Sequence, residues 1–470
     1  MITDGCKCLA LLGLALTAAC SDDRPEAVTD TDDPGFTTDV IGIEDAFLTP
    51  KYWIERAADG AAELLSGPGI ARLNEQSFAT SDTMVYLGDY PDVLGAEQLL
   101  SLVQKISRRA KGDRFYASGA LVSDADYTRY EASLNRDDIR DTNPVRFGMA
   151  VTRADMRTYP TDDRIFKTAA HSDLDRFQEN ALFPADVVAI LHASTDGEWL
   201  LVQSYNYLAW VQSTAIAIGS REIVFAYKDR PEFIVITGNK VITTYNPHVP
   251  EISELQLDMG IRLPLARPAD VSNNLHGQNP YASYTVELPV RNAAGELRLE
   301  LALIARSADV SVGYLPYTRD NLISQSFKFL GERYGWGHSY NARDCSGFVA
   351  EIYKSFGVYL PRNSGDQSNS AIGRNSRFDG DEQTSRKLEE LRSLDIGSLI
   401  FIPGHVMMYI GEVDGEPYVI HDVAGLNYTS ASGEFYSGVL SGVSVTPLLP
   451  LGFSADKSYV DSIKNIKEIK

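Results

Sequence analysis

A chain of 470 residues is longer than one hydrophobic core supports, and 44% hydrophobic with 23% charged residues is a globular composition, so three or four folded domains are expected. The formal charge of -21 is spread along the whole chain and leaves no basic stripe, which excludes nucleic acid as a natural partner and electrostatic adhesion to acidic lipid heads.

The first elements are signals, not folds. "MITDGCKCLALLGLALTAACSDD" has a weakly charged start (Lys7), an apolar run from Leu9 to Leu16 and small residues before Cys20, the layout of an export signal too short to span a bilayer. Its ending "LTAAC" resembles a bacterial lipobox. Residues 1–19 are therefore expected to be a lipoprotein signal peptide and Cys20 the lipid-modified residue, with a plain export signal as the alternative. Ser21 favours the outer membrane by resemblance to lipoprotein sorting, so the expected location is the periplasm, anchored to a membrane through lipid. Residues 20–39 are acidic, Pro-punctuated and poor in large apolar side chains, and read as a tether.

Residues 40–143 read as a mainly helical domain; in "LGAEQLLSLVQKISRRA" the residues Leu99, Leu102, Val103 and Ile106 recur at helical spacing. From there the period changes. "VVAILHASTDGEWLLVQSYNYLAWVQ" holds three strand-like runs, and "REIVFAYKDRPEFIVITGNKVITTYNP" predicts two strands joined at a Gly238-Asn239 turn. Two small all-β barrels of SH3 size, 144–217 and 218–280, fit these lengths, with one larger β-sandwich as the competing architecture. Residues 281–470 are expected to be an α+β domain, opening on a strand pair around Asn292–Gly295 and closing on "DSIKNIKEIK", which reads as a charged, frayed tail.

The cysteine count isolates one residue. Cys6 and Cys8 leave with the signal and Cys20 carries lipid, so Cys345 remains a lone thiol without a disulfide partner. The seven histidines are scattered and give it no zinc-site company, so no metal or cofactor is expected. In "RDCSGF", Asp344 is a candidate N-cap, and Phe348, Val349, Ile352, Tyr353 and Phe356 share one helical face before Gly357. Cys345 then lies in the first helical turn, where free N–H groups stabilise a thiolate and can receive an oxyanion. A buried structural cysteine would read the same. A nucleophile needs a base, and His405 and His421 flank an Asp414-Gly415 turn downstream. A two-residue loop there pairs His421 with Met408 and turns the two imidazoles to opposite faces, so a bulge or wider loop must shift the register for them to meet.

"YGWGHSYNARDCSGF", "LPRNSGDQ", "GHVMMYIG" and "VIHD" resemble, in order and spacing, the NlpC/P60 cysteine peptidases of bacterial cell walls. The resemblance runs from about Leu322 to the C-terminal strands, and the helical and SH3-like modules upstream resemble the branch that cleaves between γ-D-glutamate and meso-diaminopimelate. It implies a papain-like α+β domain acting on peptidoglycan stem peptides, L-Ala-γ-D-Glu-meso-diaminopimelate, as a monomer. It implies Cys345 as nucleophile, His405 as base and His421 as orienting residue. Asp344, Ser346 and Tyr334 would grip the free amine of L-alanine, and Ser364 would lie near D-glutamate. The first SH3-like module would wall off one end of the groove and contribute a side chain that the sequence does not identify. His338 replaces the second glycine of the usual W-G-G, either as a tolerated loop residue or as one that crowds the pocket. A non-catalytic wall-binding protein and a thiol-dependent amidase or acyltransferase are the competing functions.

Overall fold

The computed structural model describes residues 36, 38–170, 173–379, 384–430 and 432–470. The signal segment, Cys20 and the tether through residue 35 lie outside them.

Residues 40–143 do form helices: α1 (Pro50–Ile54), α2 (Gly67–Thr80), α3 (Ala96–Ile106) and α4 (Asp124–Ala132). Proline in the first turns of α1 and α2 suits positions whose N–H groups have no helical acceptor. Ser123 and Asp126 cap the start of α4 reciprocally. The segment has no core of its own, which corrects the expected independent domain. Phe47, Trp53 and Ile70 pack into the core around Cys345, whereas Leu94, Leu99, Val103 and Tyr130 join Phe147 and Trp210 of the following sheet. The physical reason is area: short helices with one apolar stripe each bury it best against a larger neighbour.

That sheet has seven antiparallel strands, in the order Ile216–Gly219, Arg146–Ala150, Val187–Ala193, Trp199–Gln203, Leu208–Gln212, Ala154–Arg157 and Gln178–Leu182. The three runs read from 187–212 are adjacent strands in it. The second β unit departs from expectation. Phe233–Ile236 and Lys240–Ile242 do not pair across Gly238-Asn239; the first lies between Arg262–Pro264 and Val310–Val312, and the second pairs with Gln256–Asp258. The amides of Thr237 and Gly238 instead donate to the Asp309 carbonyl, turning the chain from one small sheet to another. The hairpin Ser283–Arg291 with Leu297–Ala305, assigned above to the last domain, buries Val286, Leu288, Ala302 and Ile304 against Ile234, Ile236 and Leu263. The second β unit thus extends to Val312, and the 280/281 boundary is corrected. Between the two units lies α5 (Arg221–Lys228).

The last part opens with α6 (Arg319–Phe327), α7 (Cys345–Lys354) and α8 (Ser364–Asn369). Its six-stranded sheet runs Arg374–Arg377, Asn465–Glu468, Leu399–Ile402, His405–Val413, Glu416–Thr429, Phe435–Pro447. The C-terminal residues are not frayed. Asn465–Glu468 inserts between two strands, Ile463, Ile466 and Ile469 are buried, and the buried Lys467 ammonium donates to the carbonyls of Ser370 and Ile372. Burial lowers its pKa to about 7.

Trp53 of α1 closes one side of this sheet. Its ring lies against Gly411, where an added Cβ would meet it at 3.1 Å, and its indole N–H donates to the Phe47 carbonyl at 2.8 Å. Trp53→Ala is expected to lose about 3–5 kcal/mol of stability; urea unfolding followed by fluorescence measures this, and an unchanged midpoint would contradict the shared core.

Candidate active site

Cys345 opens α7 because Asp344 stops the preceding extended segment and caps the helix, accepting the Gly347 amide at 2.9 Å. The thiol is buried, at 6% exposure, and the Val406 amide donates to its sulfur. That contact brings the start of the strand His405–Val413 to the nucleophile. Burial first, and the Asp344 charge second, push the thiol up to about 12 despite the Val406 amide. The resting group is therefore a neutral thiol.

The two histidines meet because of one extra residue. Val413 pairs with Glu416, Glu412 with Pro417 and Gly411 with Tyr418, but Tyr409 then pairs with Val419 and Met408 with Ile420. Ile410 is the bulge, and Gly411 beside it takes a φ of 141° that favours glycine. The shift brings His421 onto the face of His405. His405 Nε2 lies 2.8 Å from His421 Nδ1, and His421 Nε2 lies 3.0 Å from Thr446 Oγ1. If His405 Nδ1 accepts the thiol proton, its Nε2–H donates to His421, whose Nε2–H donates in turn to Thr446. Burial lowers His405 to about 4, and burial with the neighbouring His405 holds His421 well below the usual imidazole range. Both rings are neutral at rest. Thr446 was missed in the sequence because it comes from the adjacent strand, opposite Val419, and nothing local distinguishes it.

The residues drawn from the resemblance gather here, but their roles divide. Asp344 does not present a free carboxylate, which corrects its reading as the amine grip. Arg362 donates to both of its oxygens, at 2.7 and 3.0 Å, and the Gly337 amide donates to one of them at 3.0 Å. Burial works against ionisation, but the Arg362 ion pair and these hydrogen bonds prevail and hold Asp344 well below the usual carboxylate range. Ser346 Oγ is tied into the same pair, accepting from Arg362 at 2.9 Å. Tyr334 is held by its backbone amide to the Ser441 carbonyl, and burial, then the neighbouring Cys345, pushes its phenol far up. Ser364 is half-buried at the start of α8, two residues after Arg362.

His338 does not crowd a pocket. Its backbone lies in the left-handed region at φ 68°, which explains why glycine suits the position, and its ring turns inward. Arg362 only donates, so Nδ1, at 3.2 Å, accepts, and Nε2–H donates to Glu351 at 3.0 Å. The first β unit grips this segment: Gln178 Nε2 donates to the Gly337 carbonyl, Trp336 Nε1 donates to the Gln178 carbonyl, and Asn180 accepts from Arg362. Beside these contacts Glu179 accepts from Thr158 Oγ1 at 2.6 Å and from the Tyr207 hydroxyl at 2.5 Å.

A protein-family profile described as "NlpC/P60 family" matches residues 331–445, the stretch that carries this thiol and both imidazoles. The chain carries an NlpC/P60 domain. An "SH3 domain (SH3b1 type)" profile matches residues 164–212, within the seven-stranded unit that grips the NlpC/P60 domain. The chain is 26% identical over 269 residues to a gamma-D-glutamyl-L-lysine dipeptidyl-peptidase of Bacillus cereus (strain ATCC 10987 / NRS 248), spanning 53% of this chain and 68% of that protein. It is 33% identical over 122 residues to a probable endopeptidase p60 of Listeria welshimeri, spanning 26% of this chain and 21% of that protein. Among solved structures, an NlpC/P60 endopeptidase from Photobacterium damselae subsp. piscicida superposes with a TM-score of 0.71 over 93% of this chain and 99% of its own, at 17% identity. This last likeness shows that the fold is shared across the NlpC/P60 domain and the units before it.

Asp422, next to His421, is a further buried residue of the NlpC/P60 domain. Its two carboxyl oxygens have no hydrogen-bond partner among the described residues, and burial, with Asp344 and Glu332 adding to it, raises its pKa well above the usual range. A raised carboxyl keeps its proton in the folded state after the unfolded chain has lost it, so stability is lost as pH rises from the unfolded toward the folded pKa. Asp422→Asn is expected to melt higher than the parent near neutral pH and equally below pH 4. Calorimetry across pH checks this, and a variant that melts lower at pH 7 would mean that the carboxyl has a partner.

Proposed function

We propose that this protein is a thiol-dependent cell-wall peptidase that cleaves the bond between γ-D-glutamate and meso-diaminopimelate in peptidoglycan stem peptides. The observation that carries the reading is the His405–His421–Thr446 chain behind a cysteine at a helix start. In this mechanism the Cys345 proton passes to His405 Nδ1 as sulfur attacks the γ-carbonyl carbon. Negative charge gathers on the carbonyl oxygen near the first-turn amides of α7. The C–N bond breaks, the diaminopimelate amine leaves with the proton from His405, and a thioester remains on Cys345. Water then gives a proton to His405 and attacks the thioester, freeing the glutamate γ-carboxylate and restoring the thiol.

Because both imidazoles and the thiol are neutral at rest, the proton moves in the transition state and not beforehand. With Asp344 committed to Arg362, the acid left to meet a free L-alanine amine is Glu179, supplied by the first β unit beside Tyr207. Cys20 would tether the enzyme to a periplasmic membrane face through lipid.

Mass spectrometry of products tests the reading. Chain without residues 1–20 is incubated with free L-Ala-γ-D-Glu-meso-diaminopimelate and with the same stem on muramic acid, beside Cys345→Ala. Release of L-Ala-D-Glu by the parent alone is expected, from the free peptide in preference. Equal turnover by Cys345→Ala would sink the peptidase, and equal cleavage of the attached stem would sink the amine preference.

A further inference from the structure

Arg176 immediately precedes the strand Gln178–Leu182 whose residues grip the segment leading to Cys345. Its guanidinium carbon stands 4.5 Å over the Trp336 ring. The side chain is half-buried, yet among the described residues its guanidinium has neither an ion pair nor a hydrogen bond. The acid beside it, Glu179, is already held by Thr158 and Tyr207. Arg114 adds a second positive charge within reach, and its Nε is buried without an acceptor. Burial first, and Arg114 second, lower the Arg176 pKa, while Tyr334 and Glu179 oppose them.

This contrasts with the deeper arginines of the same region. Arg157, Arg343 and Arg362 each have a carboxylate at 2.6–2.7 Å. In a chain with 64 acidic against 43 basic residues, lack of available acids does not explain an unpaired guanidinium. Partly stripping it of water without a counter-charge costs free energy that a bound anion would return. The Trp336 face holds the guanidinium by cation–π attraction and leaves its N–H edge for a ligand.

We propose that Arg176, seconded by Arg114, receives the free α-carboxylate of the γ-glutamyl residue whose side-chain carbonyl Cys345 attacks. The inference rests on the γ-glutamyl reading above and adds a selector to it. Tyr334 links the two points: its phenol feels the Cys345 sulfur on one side, and Arg176 feels that phenol on the other. A γ-linked glutamate carries its α-carboxylate three carbons from the scissile carbonyl, on the arm that does not continue into diaminopimelate. An α-carboxamide in its place would leave the guanidinium unpaired, so the enzyme distinguishes stems with free glutamate from stems amidated there.

Calorimetric binding of L-alanyl-D-glutamate and of its α-amide to Cys345→Ala protein tests this, with Arg176 intact, Arg176→Gln and Arg176→Lys, each checked for folding by its melting curve. The carboxylate form is expected to bind about 10–100-fold more tightly to the Arg176 protein, the margin of one charge-assisted pair. That ratio should fall to within about twofold in Arg176→Gln and be intermediate in Arg176→Lys. An unchanged ratio in Arg176→Gln overturns the proposal. So does a preference that follows amidation of diaminopimelate in kcat/KM for the cleaved peptides. If the active protein cleaves no stem peptide, the peptidase reading fails, while the binding ratio still decides the role of Arg176.

Discussion

Peptide hydrolysis by His405→Ala is expected to fall by a factor of about 10⁴ or more, because the thiol then has no acceptor for its proton. The loss should approach that of Cys345→Ala, since residues that act as one unit are not additive. Thr446→Val, which ends the chain of hydrogen bonds without touching the thiol, is expected to lower kcat about 10–100-fold with little change in KM, through misorientation of His421. The pH profile of the parent carries the second half of the test. His405 acts only when neutral, and burial holds its pKa at about 4, so kcat/KM is lost as pH falls through about 4 and is flat through neutrality. Cys345, pushed up to about 12, adds no limb in between. The same depressed histidine links to folding with the matching sign: the unfolded chain binds the proton first, so stability falls as pH drops from about 6.5 toward 4. An acid limb near pH 6.5 in kcat/KM would show that water reaches the imidazole and that the neutral, buried pair is wrong.

The other large effect belongs to Arg362. Arg362→Met is expected to cost roughly 3–5 kcal/mol, the range for removing one partner of a buried ion pair. The residues left behind explain why: Asp344 keeps its buried charge, Asn180 and Ser346 lose a donor, and His338 Nδ1 loses the proton it accepts. Activity should fall with stability, because Asp344 also caps the helix that carries Cys345. The double variant Arg362→Met with Asp344→Asn separates the causes. Neutralising the orphaned carboxylate while retaining a capping side chain should restore about half of the lost stability. Denaturant unfolding of the four proteins in the cycle measures the coupling, and a single variant as stable as the parent would show that Asp344 is free to meet a substrate amine.

Residues close together in the chain made much of the NlpC/P60 domain legible before any fold was known. Asp344, Cys345 and the apolar face of α7 are separated by single turns, so the cap, the helix and the place of the thiol follow from local backbone chemistry. The histidines were readable as a pair, and the need for a register shift followed from the two-residue period of strands. Which residue supplies the shift was not. Ile410 bulges because Gly411 accepts its unusual φ beneath Trp53, more than 350 positions away in the chain.

Tertiary packing decided the rest. Gly238-Asn239 looks like a hairpin turn, yet the neighbouring strands pair with partners far away, because each is too short to bury its face against the other. "DSIKNIKEIK" looks like a solvated tail because charge alternates with isoleucine, but a sheet with an open slot takes the isoleucines and gives the lysine carbonyl acceptors. The carboxylate of Asp344 was assigned to a substrate amine because its partner, Arg362, is eighteen residues on, and sequence does not say which cation a buried acid will find. Local order along the chain thus determined the helix, the nucleophile and the candidate bases. Long-range pairing of charges, strands and shared cores, which depends on distances the linear order does not encode, determined which of those groups are already engaged and which remain open to a ligand.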